Sequence, residues 1–404
     1  MSGWSSGISA PRILASHEAT RGRTRLLGLH PGWLCVGAAL ALSVLGMSAI
    51  ALSEPTAANR QLFFLGLGIV AAVVTACPSP RQLRRLAVPF YLLTLGLLVV
   101  LLVPGIPEAI VRPRNGARRW ISLVVTDLQP SELAKIAFIL LLALQLRYRR
   151  SHRTLLGLLP VLASALVPMV LVLLEPDLGT ALLFLPTLFA VLIVAGARWR
   201  DLGIIVLLGL TAAGAMAPLL RPHQVARIKA LVAQVQGDDR YEHDIGYQGA
   251  RSMTLIGSGG LDGHEEQEAS MLLRWNHLPE RHNDMIFTVI CTRWGMVGAV
   301  VVWGLYGLFA IGGLWTAAIC RDPFGRLVAI GITTIIMAQM VVNAGMTLGL
   351  FPITGMTLPF VSYGGSSLVV TWLMVGLLVG IARHRGAMFW KESFEFDGSG
   401  AGAR

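Results

Sequence analysis

Long apolar runs separated by short polar stretches dominate the pattern of the chain. They recur at 33–53, 61–77, 85–104, 131–148, 155–174, 178–197, 202–220, 285–318, 326–349 and 365–383. A helix rises about 1.5 Å per residue, so roughly 20 apolar residues cross the hydrocarbon of a bilayer. The pattern predicts an all-α polytopic membrane protein with about ten transmembrane helices. The 285–318 run is long for one crossing and short for two, and is read as one tilted helix. The first run follows a mixed polar segment and is itself a full span, which argues against a cleaved signal peptide.

Composition agrees with this pattern. Of 404 residues, 54% are hydrophobic and 14% charged, with a mean hydropathy of +0.67, whereas soluble domains carry about 25% charged residues. The net charge of +11 would suggest nucleic acid in a soluble protein. Here the arginines sit at helix ends, where insertion requires them, so the expected surroundings are membrane lipids and no nucleic acid. Cys35, Cys77, Cys291 and Cys320 match no metal spacing or disulfide framework and are read as packing residues.

Orientation follows from the arginines. Arg12, Arg21, Arg23 and Arg25 precede the first run; Arg81, Arg84 and Arg85 follow the second; Arg147, Arg149, Arg150 and Arg153 follow the fourth. Arg198 and Arg200, Arg321 and Arg326, then Arg383, Arg385 and Lys391 continue the series. Both termini are therefore expected in the cytoplasm, with residues 1–32 as a leading segment, 33–385 as the membrane domain and 386–404 as a tail. A large extracytoplasmic loop, 221–284, is expected between the seventh and eighth helices. It opens on Arg221, Arg227 and Lys229 and carries Asp238, Asp239, Glu242 and Asp244 before the turn IGSGGLDG. Its Trp, His and Pro content argues against a loose linker.

The outward connection 105–130 breaks the charge rule with Arg112, Arg114, Arg118 and Arg119. Such arginines either pair with acidic residues elsewhere or bind an anion. The turn EPDLGT, with Glu175 and Asp177, offers carboxylates that could anchor them. Glu132 and Lys135 lie three apart on one helix face, as a structural ion pair or as part of a functional path. Asp284 precedes the apolar run MIFTVI, as a helix cap or, beside Glu280, Arg281 and His282, as a proton acceptor. Near the end, NAGMTLGLFPITGMTLPFVSYGGSS places prolines and glycines inside apolar sequence, which requires buried irregular backbone or a packing kink. In the first case the hydroxyls of Ser362, Ser366 and Ser367 face a cavity.

Together these blocks (NGARRWI, QPSELAK, EPDLGTA, GYQ with IGSGG, LPERHND and GMTLPFVSYGGSS) resemble the SEDS family of RodA, FtsW and SpoVE proteins over about 33–385, slightly closer to RodA. The resemblance implies a ten-helix fold and a peptidoglycan glycosyltransferase that polymerises the undecaprenyl-linked disaccharide-peptide lipid II, for elongation or division. It implies Asp284 as the catalytic residue, the outer arginine motif at Arg118 and Arg119, and the buried pair at Glu132 and Lys135. It also implies a class B penicillin-binding protein, a transpeptidase, as partner. His282, Ser362 and Ser366 join the arginines and the ion pair as expected substrate-binding residues.

Two departures stand out. Arg251 replaces a glutamine after GYQ, and Thr292 and Arg293 stand where the family commonly carries an acidic pair. A divalent cation, Mg or Mn, is the one cofactor left open, and the missing carboxylates weigh against it at this place. The alternatives are a lipid II flippase and a catalytically degenerate scaffold for the transpeptidase.

Overall fold

The structure is a computed structural model that describes residues 30–107, 111–114, 117–123, 127–147, 155–216, 225–226, 229, 232 and 246–384. The N-terminal segment, the C-terminal tail and the acidic middle of the large loop lie outside the described residues. The first helices are α1 (Gly32–Ser53), α2 (Pro55–Ala76) and α3 (Pro80–Leu102). After a small sheet come α4 (Pro130–Leu146), α5 (Leu155–Leu174), α6 (Leu178–Val194) and α7 (Trp199–Met216). The large loop contributes α8 (Tyr247–Ser258) and α9 (Glu266–Trp275). Then follow α10 (Ile286–Ile319), α11 (Pro323–Thr347) and α12 (Gly365–Arg383).

Helices thus stand at each of the ten expected places. Seven of the described helices are long and apolar enough to cross a membrane. Starts are set by ordinary local chemistry. Ser79 and Gln82 form a reciprocal capping box before α3. Proline occupies the first helical turn of α2, α4 and α11, where its missing N–H is no loss.

The centre is α4, in which 14 of 17 residues are buried. A helix apolar all round belongs inside, and α11 and α12 flank it with most of their surface covered. At the periphery, Leu62, Phe63, Val73 and Val74 of α2 and Leu92 and Leu93 of α3 are exposed, as lipid-facing side chains are. Two basic connections meet at one end of the bundle. Arg84 pairs with Asp322 at 3.2 Å, and Arg383 donates to the Cys77 carbonyl at 3.0 Å. This matches their expected place on one side of the membrane.

Two features differ from the sequence reading. The 105–130 connection contains a small antiparallel sheet, β1 (Val111–Arg114), β2 (Ala117–Ser122) and β3 (Asp127–Leu128), in the order β1-β2-β3. Val111 faces Ile121, and Ile121 faces Leu128. The strands are short and β1 and β2 are rich in arginine, so apolar periodicity does not reveal them. The local signal is Asn115-Gly116, the residue pair that two-residue hairpin turns favour.

The second difference is in α10, which is two helices joined at a break rather than one tilted span. Gly295 adopts φ 58°, ψ −149°, outside helical space. The stretch 296–319 alone gives about 36 Å of helix, sufficient for a crossing. The N-terminal piece, Ile286 to Thr292, is buried. The large loop satisfies the amides freed at the break: Met296 N–H donates to Gly260 O at 2.9 Å and Val297 N–H to Leu261 O at 3.2 Å. In return His264 N–H donates to Thr292 O at 3.1 Å. Of the stretch IGSGGLDG, expected as a turn, Ile256–Ser258 instead close α8, and the residues just after it, Gly260 and Leu261, clamp this break.

Candidate active site

At the other end of the bundle the polar motifs converge. Asp284 is buried, 7% exposed, and lies two residues before the start of α10, whose N-cap is Met285 with no side-chain capping bond. Met285, rather than Asp284, thus takes the N-cap position. Its block is pinned on three sides. Arg281 donates to Ser53 O at 3.1 Å and to Leu273 O at 3.2 Å, and Tyr363 N–H donates to His282 O at 2.9 Å. Asn343 on α11 donates to Asp284 O at 2.8 Å and to Met356 O at 2.6 Å. The His282 ring rests edge-on to Tyr363 at 5.7 Å. Glu280 is exposed and accepts from the Asn283 amide.

The irregular stretch between α11 and α12 is buried, as the proline and glycine pattern requires, with Leu358, Phe360 and Val361 almost fully covered. Buried backbone needs partners, and side chains supply them. Gln339 donates to Thr357 O at 2.9 Å, Gln61 donates to Ser362 O at 2.9 Å, and Tyr306 donates to Pro359 O. The Ser362 hydroxyl accepts from Leu358 N–H at 2.7 Å. Ser366 accepts from Gln129 N–H at 3.1 Å, and Ser367 bonds Thr357 at 3.1 Å. These hydroxyls, expected to face a cavity, each also hold the irregular backbone or its neighbours.

Glu132 and Lys135 form a buried ion pair, with both carboxylate oxygens 2.8 Å from Nζ. Lys135 also donates to Gln339 Oε1 at 3.0 Å. The pair thereby reaches α11. Gln339 and Asn343, four residues apart on one face of α11, were not singled out from the sequence. The available signal was two amides at helical spacing within an otherwise apolar helix.

Among the described residues, Arg118 and Arg119 are held by backbone carbonyls. Arg118 donates to Val103 O at 3.1 Å and Ile106 O at 2.9 Å. Arg119 donates to Glu175 O at 3.0 Å and to Pro176 O. Asp177, expected as an anchor, instead caps α6 through Thr180 N–H at 3.2 Å and accepts from Gln129 at 3.2 Å. Burial pushes the Glu175 carboxyl up to about 9, with the Asp177 charge adding and the Arg119 charge opposing. The 175–179 turn leans on the stretch beside Asp284: a Cβ on Gly179 would stand 3.1 Å from Thr354 and Met356. The side chains of Arg112 and Arg114 lie outside the described residues.

Thr292 and Arg293 do not line the mouth with Asp284. Arg293 is nine positions further along α10, roughly 13 Å at helical rise. Thr292 is fully buried and donates to Thr288 O at 2.9 Å, while Arg293 donates to His264 O at 3.0 Å and lies over Trp294. A hydroxyl bound to a helix carbonyl beside a guanidinium does not suit a divalent cation. Among the described residues, no group of three or more His, Cys, Asp or Glu side chains could hold a metal ion.

The sequence pattern of the FtsW/RodA/SpoVE cell cycle protein family matches residues 26–387. The chain is 35% identical to the probable peptidoglycan glycosyltransferase FtsW of Trichlorobacter lovleyi, over 80% of this chain and 83% of that one. It is 34% identical to the peptidoglycan glycosyltransferase MrdB of Escherichia coli K12, over 81% and 86%, and 31% identical to the stage V sporulation protein E of Bacillus subtilis, over 81% and 87%. Among solved structures, it superposes on a chain of a peptidoglycan synthase complex with a TM-score of 0.74, 34% identity and coverage of 87% and 98%. The RodA protein of Thermus thermophilus gives a TM-score of 0.65 with 34% identity and coverage of 87% and 97%. With a family pattern matched over most of its length and relatives and structures alike along the same span, the chain belongs to the FtsW/RodA/SpoVE family of multi-pass bacterial membrane proteins.

Proposed function

We propose that the chain is a peptidoglycan glycosyltransferase that polymerises lipid II at the outer face of the cytoplasmic membrane. The observation that carries this reading is the fixed placement of Asp284, held by its backbone against α11 at the same end of the bundle as Arg118 and Arg119. The reaction joins a sugar hydroxyl to an anomeric carbon that bears a lipid diphosphate. Asp284 takes the proton of the acceptor 4-hydroxyl. The freed oxygen attacks the anomeric carbon, and the bond to diphosphate breaks with its electron pair leaving on the lipid diphosphate. Displacement inverts the carbon, giving a β linkage from an α-linked donor.

Arg118 and Arg119 hold the departing diphosphate. A guanidinium offers five N–H donors, and two contacts to carbonyl oxygens orient each one without neutralising it. Preorganised cations at the leaving group supply the larger share of catalysis in reactions of this kind. The Glu132–Lys135 pair is internally neutralised, so it offers no free charge to a flippase path.

Likeness to a chain of a peptidoglycan synthase complex supports a class B penicillin-binding protein as partner. The test is to incubate purified protein with lipid II, with and without that partner, and to resolve glycan polymer. The Asp284→Ala protein should remain folded and make none; polymer at the unsubstituted rate would sink the assignment.

A further inference from the structure

We infer that Asn343 is a positioning residue for Asp284, a single amide that sets where the aspartate stands relative to the stretch 354–357. The inference rests on the reading of Asp284 as the base. Asn343 is fully buried on α11, and its Nδ2 donates to two carbonyl oxygens, Asp284 O at 2.8 Å and Met356 O at 2.6 Å. Carbonyl oxygens only accept, so the amide orientation follows from its partners. One side chain thereby ties the catalytic block to the irregular stretch across the site.

That stretch borders the carboxylate. Gly355 has φ +73°, and a Cβ built there would stand 3.9 Å from Asp284 Oδ2. Bonds at residues 281 and 282 anchor the block on its other sides. One turn before Asn343, Gln339 takes Thr357 O at 2.9 Å while its own oxygen receives Lys135. Consecutive carbonyls, Met356 and Thr357, are thus both held by amides of α11. The Glu132–Lys135 pair fixes the rail along which Asn343 places Asp284. A displacement of about 1 Å can cost a reaction on the order of a hundredfold, so the placement has catalytic weight.

A purely structural role, in which Asn343 only satisfies buried carbonyls, predicts a different outcome. It would lower stability and leave the turnover of folded molecules unchanged. The experiment compares Asn343→Ala and Asn343→Gln with the unsubstituted protein in detergent, reading thermal melting together with kcat and KM on lipid II. Asn343→Ala should lose at least about tenfold in kcat with KM within about twofold. Asn343→Gln keeps both donors and should fall between the two.

A folded Asn343→Ala protein with unchanged kcat overturns the inference, as does a loss expressed only in KM. If Asn343→Ala does not fold, Asn343→Gln decides alone: a lowered kcat at unchanged KM supports positioning, and the original kcat overturns it. An inactive Asp284→Ala beside a fully active Asn343→Ala defeats this inference alone. An active Asp284→Ala defeats the functional reading beneath it.

Discussion

Lys135 reaches from α4 to α11, its ammonium 2.8 Å from Glu132 and 3.0 Å from Gln339 Oε1, with all three side chains buried. Removing one partner of a buried pair leaves an uncompensated charge, which costs about 3–5 kcal/mol, whereas replacing both by apolar or neutral groups is close to neutral. Lys135→Met should therefore lower the melting temperature sharply, and adding Glu132→Gln should restore most of it. Thermal unfolding in detergent checks this. A single variant that melts with the unsubstituted protein would show that the pair carries no such burden.

Glu175 gives a pH dependence with a definite sign. It is 2% exposed, and neither carboxylate oxygen has a hydrogen-bond partner among the described residues. Burial, first, and the Asp177 charge raise it from 4.5 to about 9, while the Arg119 charge opposes. The folded chain therefore keeps a proton that the unfolded chain releases. Its contribution to stability is complete below pH 4.5 and is lost as pH rises towards about 9. The limiting slope for one group is about 1.4 kcal/mol per pH unit. Glu175→Gln should melt like the unsubstituted protein at low pH and above it near the upper end of that window. Parallel melting curves across the window would refute the assignment.

What was legible in the sequence follows from the strength of each signal. Apolar runs of bilayer length announce helices without help from tertiary context, and arginines at alternate connections announce sidedness. Asp284, Glu132 and Lys135 stand out because ionisable groups beside apolar runs need a reason. The partners of Arg118 and Arg119 were hidden for a physical cause: they are backbone carbonyls, which every residue carries, so no side-chain pattern marks them. Ser362 and Ser366 looked available because a sequence shows a hydroxyl but not the amide that it accepts from. The break in α10 was hidden inside an unbroken apolar run, where glycine is common for packing alone.

That break offers the most direct test of how the large loop is coupled to the site. Gly295 has φ 58°, ψ −149°, a region that is nearly closed to other residues at a cost of about 1–3 kcal/mol. A Cβ there would also meet the Leu261 carbonyl and stand 2.6 Å from Gly263 N, both fixed backbone. Gly295→Ala should therefore lower the melting temperature by more than the strain alone predicts. It should also reduce polymerisation, because the helical piece that directly follows Asp284 is aimed by this joint. Gly307→Ala is the control, in the same helix with nothing within 4 Å of the added carbon. There the substitution should be neutral or stabilising by up to about 1 kcal/mol, since alanine favours helix over glycine. Equal melting of the two variants would mean that the loop does not hold the break as the hydrogen bonds from Met296 and Val297 indicate.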